Sequence, residues 1–238
     1  MRQLKRWIQK VGNIYVRQLC RREYECQAFQ GLNERPVELR FVFDHLAKLC
    51  PTKILDVGTG VTALPSLLKT CGCVVTAIDN IHDYWPDGMV NRHFHVIHDD
   101  ITQTRLTENQ FDFVTCISVL EHIPNHDAAV RSMFSLLKPG GHLVLTFPYN
   151  ETTFVENVYK LPGSVGEYAY PFVTQVYSRQ QIRHWLAENR ARIVEQEYWQ
   201  YFSGEFWTLG EQVNPPIQVT VADKHHITCL LIQKTVAL

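Results

Sequence analysis

The sequence predicts an α/β protein built on a doubly wound, mostly parallel sheet with helices on both faces. Two observations carry this prediction. A short apolar run from Lys53 to Val57 ends at two spaced glycines, a helix-like segment follows, and a second β-branched run closes at Asp79. Apolar runs that begin at Phe111 and His142 continue the alternation of strand and helix. We expect seven strands in all, the last of them antiparallel.

The individual elements follow from local periodicity and turn residues. Strands are predicted where short apolar or β-branched runs are bounded by turn residues, at 53–57, 74–79, 93–100, 111–118, 142–147, 193–202 and 227–232. Helices are predicted where apolar residues recur at helical spacing, at 37–50, at 66–69, after a cap at Asn125 or Asp127, and after a cap at Ser178.

Two regions are predicted along the chain. Residues 1–36 form a helical extension in which apolar and basic residues recur at helical spacing. We expect its candidate helix, residues 1–30, to pack on the main domain or cover its substrate mouth, and contact with a membrane surface or an acidic partner is the alternative. Residues 37–238 form the main domain. Its stretches at about 148–177 and 203–216 lack regular periodicity, and we expect them to be substrate lids.

The composition is that of an ordinary globular protein. The 238 residues are 45% hydrophobic and 20% charged, and the formal net charge of −1 gives no indication of a nucleic-acid or anionic-membrane partner. No apolar run reaches the length of a membrane span, and the first residues lack the apolar core of a signal peptide. The seven cysteines form no CxxC pair, so we expect reduced thiols and a cytoplasmic protein.

The carboxyl ends of the predicted strands carry the candidate ligand-binding residues, because parallel sheets bind ligands in the crevice at these ends. Gly58 and Gly60 let the backbone approach a ligand closely, and the N–H groups of the following helix suit an anionic group. A carboxylate at Asp79 can accept hydrogen bonds from ribose hydroxyls. These features indicate a nucleoside-bearing cofactor, and a dinucleotide would also fit Gly58, Gly60 and Ala63.

Asp56 distinguishes between the possible cofactors. A carboxylate two residues before the first glycine suits a cationic amino group better than a pyrophosphate. With Asp56, the segment resembles the first motif of the class I S-adenosylmethionine-dependent methyltransferases, a Rossmann-like family, although Thr62 stands where the family often has a third glycine. The Leu-Glu-His segment at 120–122 resembles the small-molecule branch of the family. The Leu-Lys-Pro-Gly-Gly turn at 137–141 is a further family signature, and the matching segments span roughly residues 50 to 150.

The resemblance implies S-adenosyl-L-methionine as cofactor and S-adenosyl-L-homocysteine as product. In the family, an acidic residue twelve positions before Asp112 accepts from the adenine amino group. That residue is Asp100 here, and Asp99 would replace it after a small register shift. Tyr84 and Trp85 are candidates to cover the purine face. The expected cofactor-binding residues are Asp56, Gly58, Thr59, Gly60, Asp79, Asn80, Asp99, Asp100, Ile101 and Ser118.

Methyl transfer by in-line displacement to oxygen of a small-molecule or glycan-type acceptor is the predicted reaction. His122 is the candidate general base, since histidine titrates near neutrality, and Tyr149 is the second candidate. The segment 117–120 lacks the motif of nucleic-acid amino methyltransferases, so no nucleic acid is expected as partner. His93 and His95 share a strand face, but no third ligand has suitable spacing, and no metal site is predicted.

Two alternatives to this enzyme remain open from the sequence. One is a non-catalytic methyltransferase-like binding protein that keeps the fold. The other, less favoured, is an NAD-dependent Rossmann oxidoreductase, against which Asp56 and the Pro139-Gly140-Gly141 turn argue.

Overall fold

The computed structural model describes residues 2–29, 33–81, 93–164 and 172–236. Its contacts divide the chain into two units, residues 1–33 and 34–238. The first unit holds helix α1 (Arg2–Glu25), whose large apolar side chains are mostly exposed. Within the described residues, no helix is both long and apolar enough to cross a membrane.

The second unit holds the remaining described elements. Its helices are α2 (Arg35–Leu49), α3 (Leu64–Thr70), α4 (His126–Leu136) and α5 (Arg179–Glu188). Its strands are β1 (Lys53–Val57), β2 (Val74–Asp79), β3 (Ile97–His98), β4 (Phe111–Ile117), β5 (Leu137–Pro148), β6 (Ala191–Phe202), β7 (Gln212–Val219) and β8 (Ile227–Lys234). Short 3-10 turns lie at Ile101–Gln103, Leu120–His122 and Val158–Lys160.

The eight strands form one sheet in the order β3-β2-β1-β4-β5-β8-β6-β7. The first five are parallel, and the last three each run antiparallel to their neighbours. The α/β class and the mostly parallel sheet are confirmed, but the prediction of seven strands was wrong. The additional strand, β7, begins inside the second predicted lid and contains Pro215 and Pro216. Proline lacks the N–H that a sheet ladder needs, so this strand is tolerated only at the edge.

Helices cover both faces of the sheet, as predicted. Neighbouring residues of β1 point to opposite sides, so Ile54 packs in a core cluster with α2 and α3, while Leu55 packs in a second cluster with α4 and α5. Because both faces are covered, the central strands are almost continuously apolar. Polar groups that bind ligands are therefore concentrated beyond the strand ends.

Two predicted segments differ in detail. The third strand covers only Ile97–His98 rather than residues 93–100. The Leu-Lys-Pro-Gly-Gly segment is not a separate turn but the start of β5. Leu137 pairs with Phe111 and His142 pairs with Phe113, so the residues between them form a bulge in which Gly140 has φ +80°.

Candidate active site

A tight turn follows β1 and packs against the loop after β4. Gly58 and Gly60 have φ values of +71° and +58°, in the region that favours glycine. The Gly58 N–H donates to the Ile78 carbonyl at 2.9 Å, and the Gly60 N–H donates to Asp79 Oδ2 at 2.7 Å. A Cβ atom on Gly58 would lie 2.3 Å from Cγ1 of Val119. The turn therefore has room for backbone alone.

This turn forms one wall of a cavity of about 460 Å³ at the carboxyl ends of the central strands. The cavity brings together most of the residues expected from the sequence: Gly58, Gly60, Asp79, Asn80, Asp99, Asp100, Ile101 and His122. A second cavity of about 170 Å³ shares Val57 and Gly58 with the first and is lined by Asp56 and Thr59. Ser118 and Tyr149 line neither of these two cavities.

The acidic residues of the larger cavity are held by local hydrogen bonds. Burial raises the pKa of Asp79, although N–H groups of the backbone donate to it. Asp99 accepts from Thr104 Oγ1 at 2.6 Å. Asp100 accepts from the N–H and the hydroxyl of Thr102, both at 2.8 Å. Burial raises the pKa of Asp100, but its hydrogen bonds outweigh burial and hold the pKa below its ordinary value. Asp100 therefore caps a 3-10 turn and lines the cavity at once.

Asp56 lies in a buried pocket of hydroxyl groups. Its two carboxylate oxygens accept from Thr59 Oγ1 and Thr115 Oγ1, each at 2.7 Å. Burial, the main cause, raises its pKa to about 6, against the effect of these two hydrogen bonds. At neutral pH the carboxylate is mainly ionised, and the positive charge of Arg35 favours that state.

Arg35 and Glu38 of α2 belong to the same region and were missed in the sequence. Arg35 Nη1 lies 3.0 Å from Glu38 Oε2 and 3.0 Å from the Ile117 carbonyl oxygen. Glu38 is fully buried and accepts from the Thr146 hydroxyl at 2.6 Å and from the Ser118 hydroxyl. Burial raises the pKa of Glu38. Ser118 thus binds a protein carboxyl group in this structure. The available signal was a glutamate within the apolar face of a predicted helix.

His122 combines a lining position with a defined protonation pattern. Its Nδ1 atom lies 2.8 Å from the carbonyl oxygen of Val173. Because a carbonyl oxygen only accepts, Nδ1 carries the proton, and the lone pair of the neutral ring lies on Nε2. Burial lowers the pKa of His122, so the ring is neutral at neutral pH. The Phe172 ring packs edge-on against it at 5.0 Å. This is the state that a general base requires.

The end of the first predicted lid supports the loop that carries His122. The Gln175 N–H donates to the Glu121 carbonyl at 2.9 Å, and Gln175 Nε2 donates to the Ile123 carbonyl at 2.9 Å. The Tyr177 hydroxyl donates to the Leu120 carbonyl at 2.7 Å. The loop after β4 is therefore fixed by a segment more than 50 residues further along the chain.

The expectation that Tyr149 serves as a second base does not fit the geometry. Its side chain is buried, and its hydroxyl donates to Glu151 Oε2 at 2.6 Å. Arg179 donates twice to the same carboxylate, at 3.0 and 3.1 Å. Burial and the bond to Glu151 raise the pKa of Tyr149 above its ordinary value. Tyr149 belongs to a structural cluster, because an acceptor would have to break this network to reach it.

Some expected residues lie outside the described residues. Tyr84 and Trp85, expected to cover a purine, fall in the stretch 82–92, and part of the first predicted lid falls in 165–171. In the described part of this lid, Ser164 Oγ lies 2.7 Å from Thr208 Oγ1, so the two predicted lids contact each other.

A family model described as a methyltransferase domain matches residues 21–202. The chain belongs to this methyltransferase family. The resemblance read from the motifs is thereby confirmed: this is a class I S-adenosylmethionine-dependent methyltransferase, and S-adenosyl-L-methionine is the family's cofactor. Family membership decides against the NAD-dependent alternative.

Curated relatives match about half of the methyltransferase. It is 34% identical over 120 residues to the ubiquinone biosynthesis O-methyltransferase of Xanthomonas euvesicatoria pv. vesicatoria, covering 47% of this chain and 48% of the relative. It is 30% identical over 131 residues to the enzyme of the same description from Pseudomonas fluorescens, covering 51% and 54%. The chain spans about half the length of these relatives.

Solved structures support the fold. The 1,6-didemethyltoxoflavin-N1-methyltransferase of Burkholderia thailandensis is 14% identical, with a TM-score of 0.57 and coverage of 82% of this chain and 77% of that one. The N-methyltransferase NodS of Bradyrhizobium japonicum is 17% identical, with a TM-score of 0.54 and coverage of 87% and 89%. At these identities the likeness concerns the fold alone.

The residues of this chain fit S-adenosylmethionine. Gly58 and Gly60 line the larger cavity with their backbone, and Asp79 ends the neighbouring strand at the same cavity. Asp56 offers a buried carboxylate next to the same turn. These two acceptor groups match a ligand that donates from ribose hydroxyls and from a cationic amino group.

Proposed function

We propose that this methyltransferase transfers a methyl group to a hydroxyl oxygen of a small-molecule acceptor, with His122 as general base. The observation that carries the proposal is the 2.8 Å contact of His122 Nδ1 with the Val173 carbonyl, which leaves the lone pair on Nε2 of a cavity-lining residue. The O-methyltransferase descriptions of the curated relatives support oxygen as the acceptor atom. A glycan-type acceptor presents the same hydroxyl chemistry.

We assign the nucleoside end of the cofactor to the larger cavity. Asp79 would accept from the ribose hydroxyls, and Asp100 or the neighbouring Asp99 would accept from the adenine amino group. Gly58 and Gly60 would allow the backbone to lie against the ligand. The hydrogen bond from Gly60 to Asp79 supports this assignment, since it ties the turn to the ribose-binding carboxylate.

We assign the amino-acid end of the cofactor to the smaller cavity. Asp56 would face the amino group, and Arg35 would face the carboxylate. Both residues line this cavity, which joins the larger one at Val57 and Gly58. The pair matches the opposite charges of an amino acid, and Thr59 holds Asp56 in position.

The chain's part in the reaction is alignment and proton transfer. When bound, S-adenosylmethionine supplies a sulfonium methyl group that is already an activated electrophile. His122 would accept the proton of the acceptor's hydroxyl group at Nε2, so that the oxygen could receive the methyl group that the sulfonium supplies. Alignment contributes on the order of 7–11 kcal/mol to such reactions, and a general base about 10²–10⁴-fold. Phe172 packs on the His122 ring, which supports the first lid as the acceptor region.

Substitution of His122 by alanine tests the proposal. Formation of S-adenosylhomocysteine would be followed with a panel of phenols and sugars, and binding of S-adenosylmethionine and NAD by calorimetry. We expect turnover to fall about 10²–10⁴-fold while affinity for S-adenosylmethionine is kept. His184→Ala is the matched control, because its side chain is 51% exposed and lies outside both cavities.

Three outcomes would contradict the proposal. Full turnover of the His122 variant would show that the base lies elsewhere or is not needed. Cofactor binding without methylation of any phenol or sugar would favour the non-catalytic alternative. Methylation of amines alone would exclude oxygen as the acceptor atom. In the wild type, activity should decline as the pH falls through the pKa of His122, which lies below its ordinary value.

A further inference from the structure

Helix α1 presents an apolar stripe along one side. Residues three or four positions apart lie on the same side of an α-helix, and six apolar residues of α1 follow this spacing. All six are between 47% and 64% exposed: Leu4, Trp7, Ile8, Val11, Ile14 and Tyr15. A continuous apolar surface of this kind marks a site of interaction rather than an ordinary solvated face.

The same helix holds a concentration of positive charge. Residues 1–22 contain seven of the chain's 23 lysines and arginines and none of its 24 aspartates and glutamates. The remaining 216 residues therefore carry 16 basic and 24 acidic side chains. The formal net charge of −1 conceals this asymmetry. A helix with such a charge is attracted to an anionic surface.

We propose that α1 binds the surface of an anionic phospholipid membrane, lying in the plane of the interface with its apolar stripe inward. Trp7 and Tyr15 lie in the stripe, and such amphipathic rings are enriched at membrane interfaces. Lys5 and Lys10 lie at its two edges, where long side chains reach from an apolar surface to the lipid headgroups. An amphipathic helix with these features lies on a membrane rather than across it.

A second copy of the chain is a poorer occupant of the stripe. The stripe covers residues 4–15, about two heptads, whereas a coiled coil needs at least about three. Pairing two copies of α1 would also bring Lys10 and Arg17 close to equally basic residues, with no acidic side chain before Glu23 to offset them. Charge complementarity favours the lipid surface.

The inference is independent of the proposed methyl acceptor. The match to the methyltransferase domain begins at residue 21, so most of α1 precedes the part of the chain that the family shares. Membrane binding by α1 is therefore a property of this chain, and it can be measured without knowing the acceptor.

Sedimentation with vesicles tests the proposal on the full chain. Phosphatidylcholine vesicles with and without phosphatidylglycerol would be compared for the wild type and two variants. Val11→Glu places a carboxylate in the stripe, and Gln9→Glu places the same charge on the opposite side of the helix. We expect phosphatidylglycerol to increase wild-type binding at least about tenfold, and higher salt to reverse the increase. Val11→Glu should lose at least about tenfold in binding, and Gln9→Glu much less.

Other results would overturn the proposal. Equal binding to both kinds of vesicle, or to neither, would exclude recognition of anionic lipid. Equal losses in the two variants would exclude insertion of the stripe. A wild-type dimer in sedimentation velocity without lipid that Val11→Glu dissociates would assign the stripe to a second copy. As a control for folding, equal thermal unfolding of the wild type and the two variants would show that the second unit is unchanged.

Discussion

Replacement of Gly58 by alanine tests whether the glycine turn holds the cofactor. Gly58 has φ +71°, and its Cβ would lie 2.3, 2.5 and 2.9 Å from Cγ1, Cγ2 and Cβ of Val119. Reaching an ordinary contact of 3.4 Å requires the turn and Val119 to move apart by about 1.1 Å. Both residues line the larger cavity, so the displacement changes its wall.

The loss of unfolding free energy expected for Gly58→Ala has two parts. The left-handed conformation costs alanine about 1–2 kcal/mol relative to glycine. Overpacking of a filled site typically costs a further 1–3 kcal/mol or so. We therefore expect the unfolding free energy to fall by about 2–5 kcal/mol and the affinity for S-adenosylmethionine to fall at least about tenfold, which is about 1.4 kcal/mol of binding free energy.

Gly72→Ala is a matched control. Gly72 also has a positive φ of +100°, but a Cβ there meets no atom within 4 Å, so this variant carries conformational strain without the contact. Calorimetry with S-adenosylmethionine and urea unfolding of both variants separate the two effects. Adding Val119→Ala to Gly58→Ala removes the two closest atoms and should restore part of the affinity. Wild-type affinity in the Gly58 variant would show that the glycine turn does not hold the cofactor.

Two further predictions concern buried polar groups. Burial raises the pKa of Asp56 from 3.8 to about 6, so the folded chain binds this proton more tightly than the unfolded chain. Its contribution to stability is complete below pH 4 and is lost as the pH rises through about 6. The unfolding free energy of Asp56→Asn, measured with urea relative to that of the wild type, should therefore rise by up to about 3 kcal/mol from pH 4 to pH 7.5. If the unfolding free energies of the variant and the wild type changed with pH in the same way, the raised pKa of Asp56 would be contradicted. Tyr149→Phe removes the bond to Glu151 and should cost about 1.5–3 kcal/mol of stability with turnover unchanged. A large loss of turnover would show that Tyr149 takes part in the reaction.

The parallel half of the sheet could be predicted because its strands are recognisable from short segments of sequence. β1 and β2 are short apolar runs, with Gly58 directly after the first and Asp79 at the end of the second. The edges were harder to predict. The two-residue β3 is set by pairing with β2, and β7 contains two prolines that are typical of loops. Edge strands depend on one neighbour only, so their sequences are less constrained.

The site shows the same division. Residues of the glycine turn and the strand ends were predictable, since their spacing in sequence fixes their position at the cavity. Glu38 was not, because its partners Ser118 and Thr146 lie 80 and 108 residues away. The hydrogen bond of the Tyr149 hydroxyl was not predictable for a similar reason, since Arg179, which holds Glu151, lies on a distant helix.

The base of the first predicted lid has a consequence for how this protein can evolve. Val155 and Val176 exchange two backbone hydrogen bonds of 2.9 Å, and the Val158 N–H donates to the Thr174 carbonyl at 2.8 Å. The chain from 159 to 172 thus starts and ends at a closed neck. Doubling the length of such a loop costs only about 0.6 kcal/mol. Insertions above the neck can therefore be accommodated while the carbonyl that orients His122 keeps its place, and under the proposed function they would change the range of acceptors.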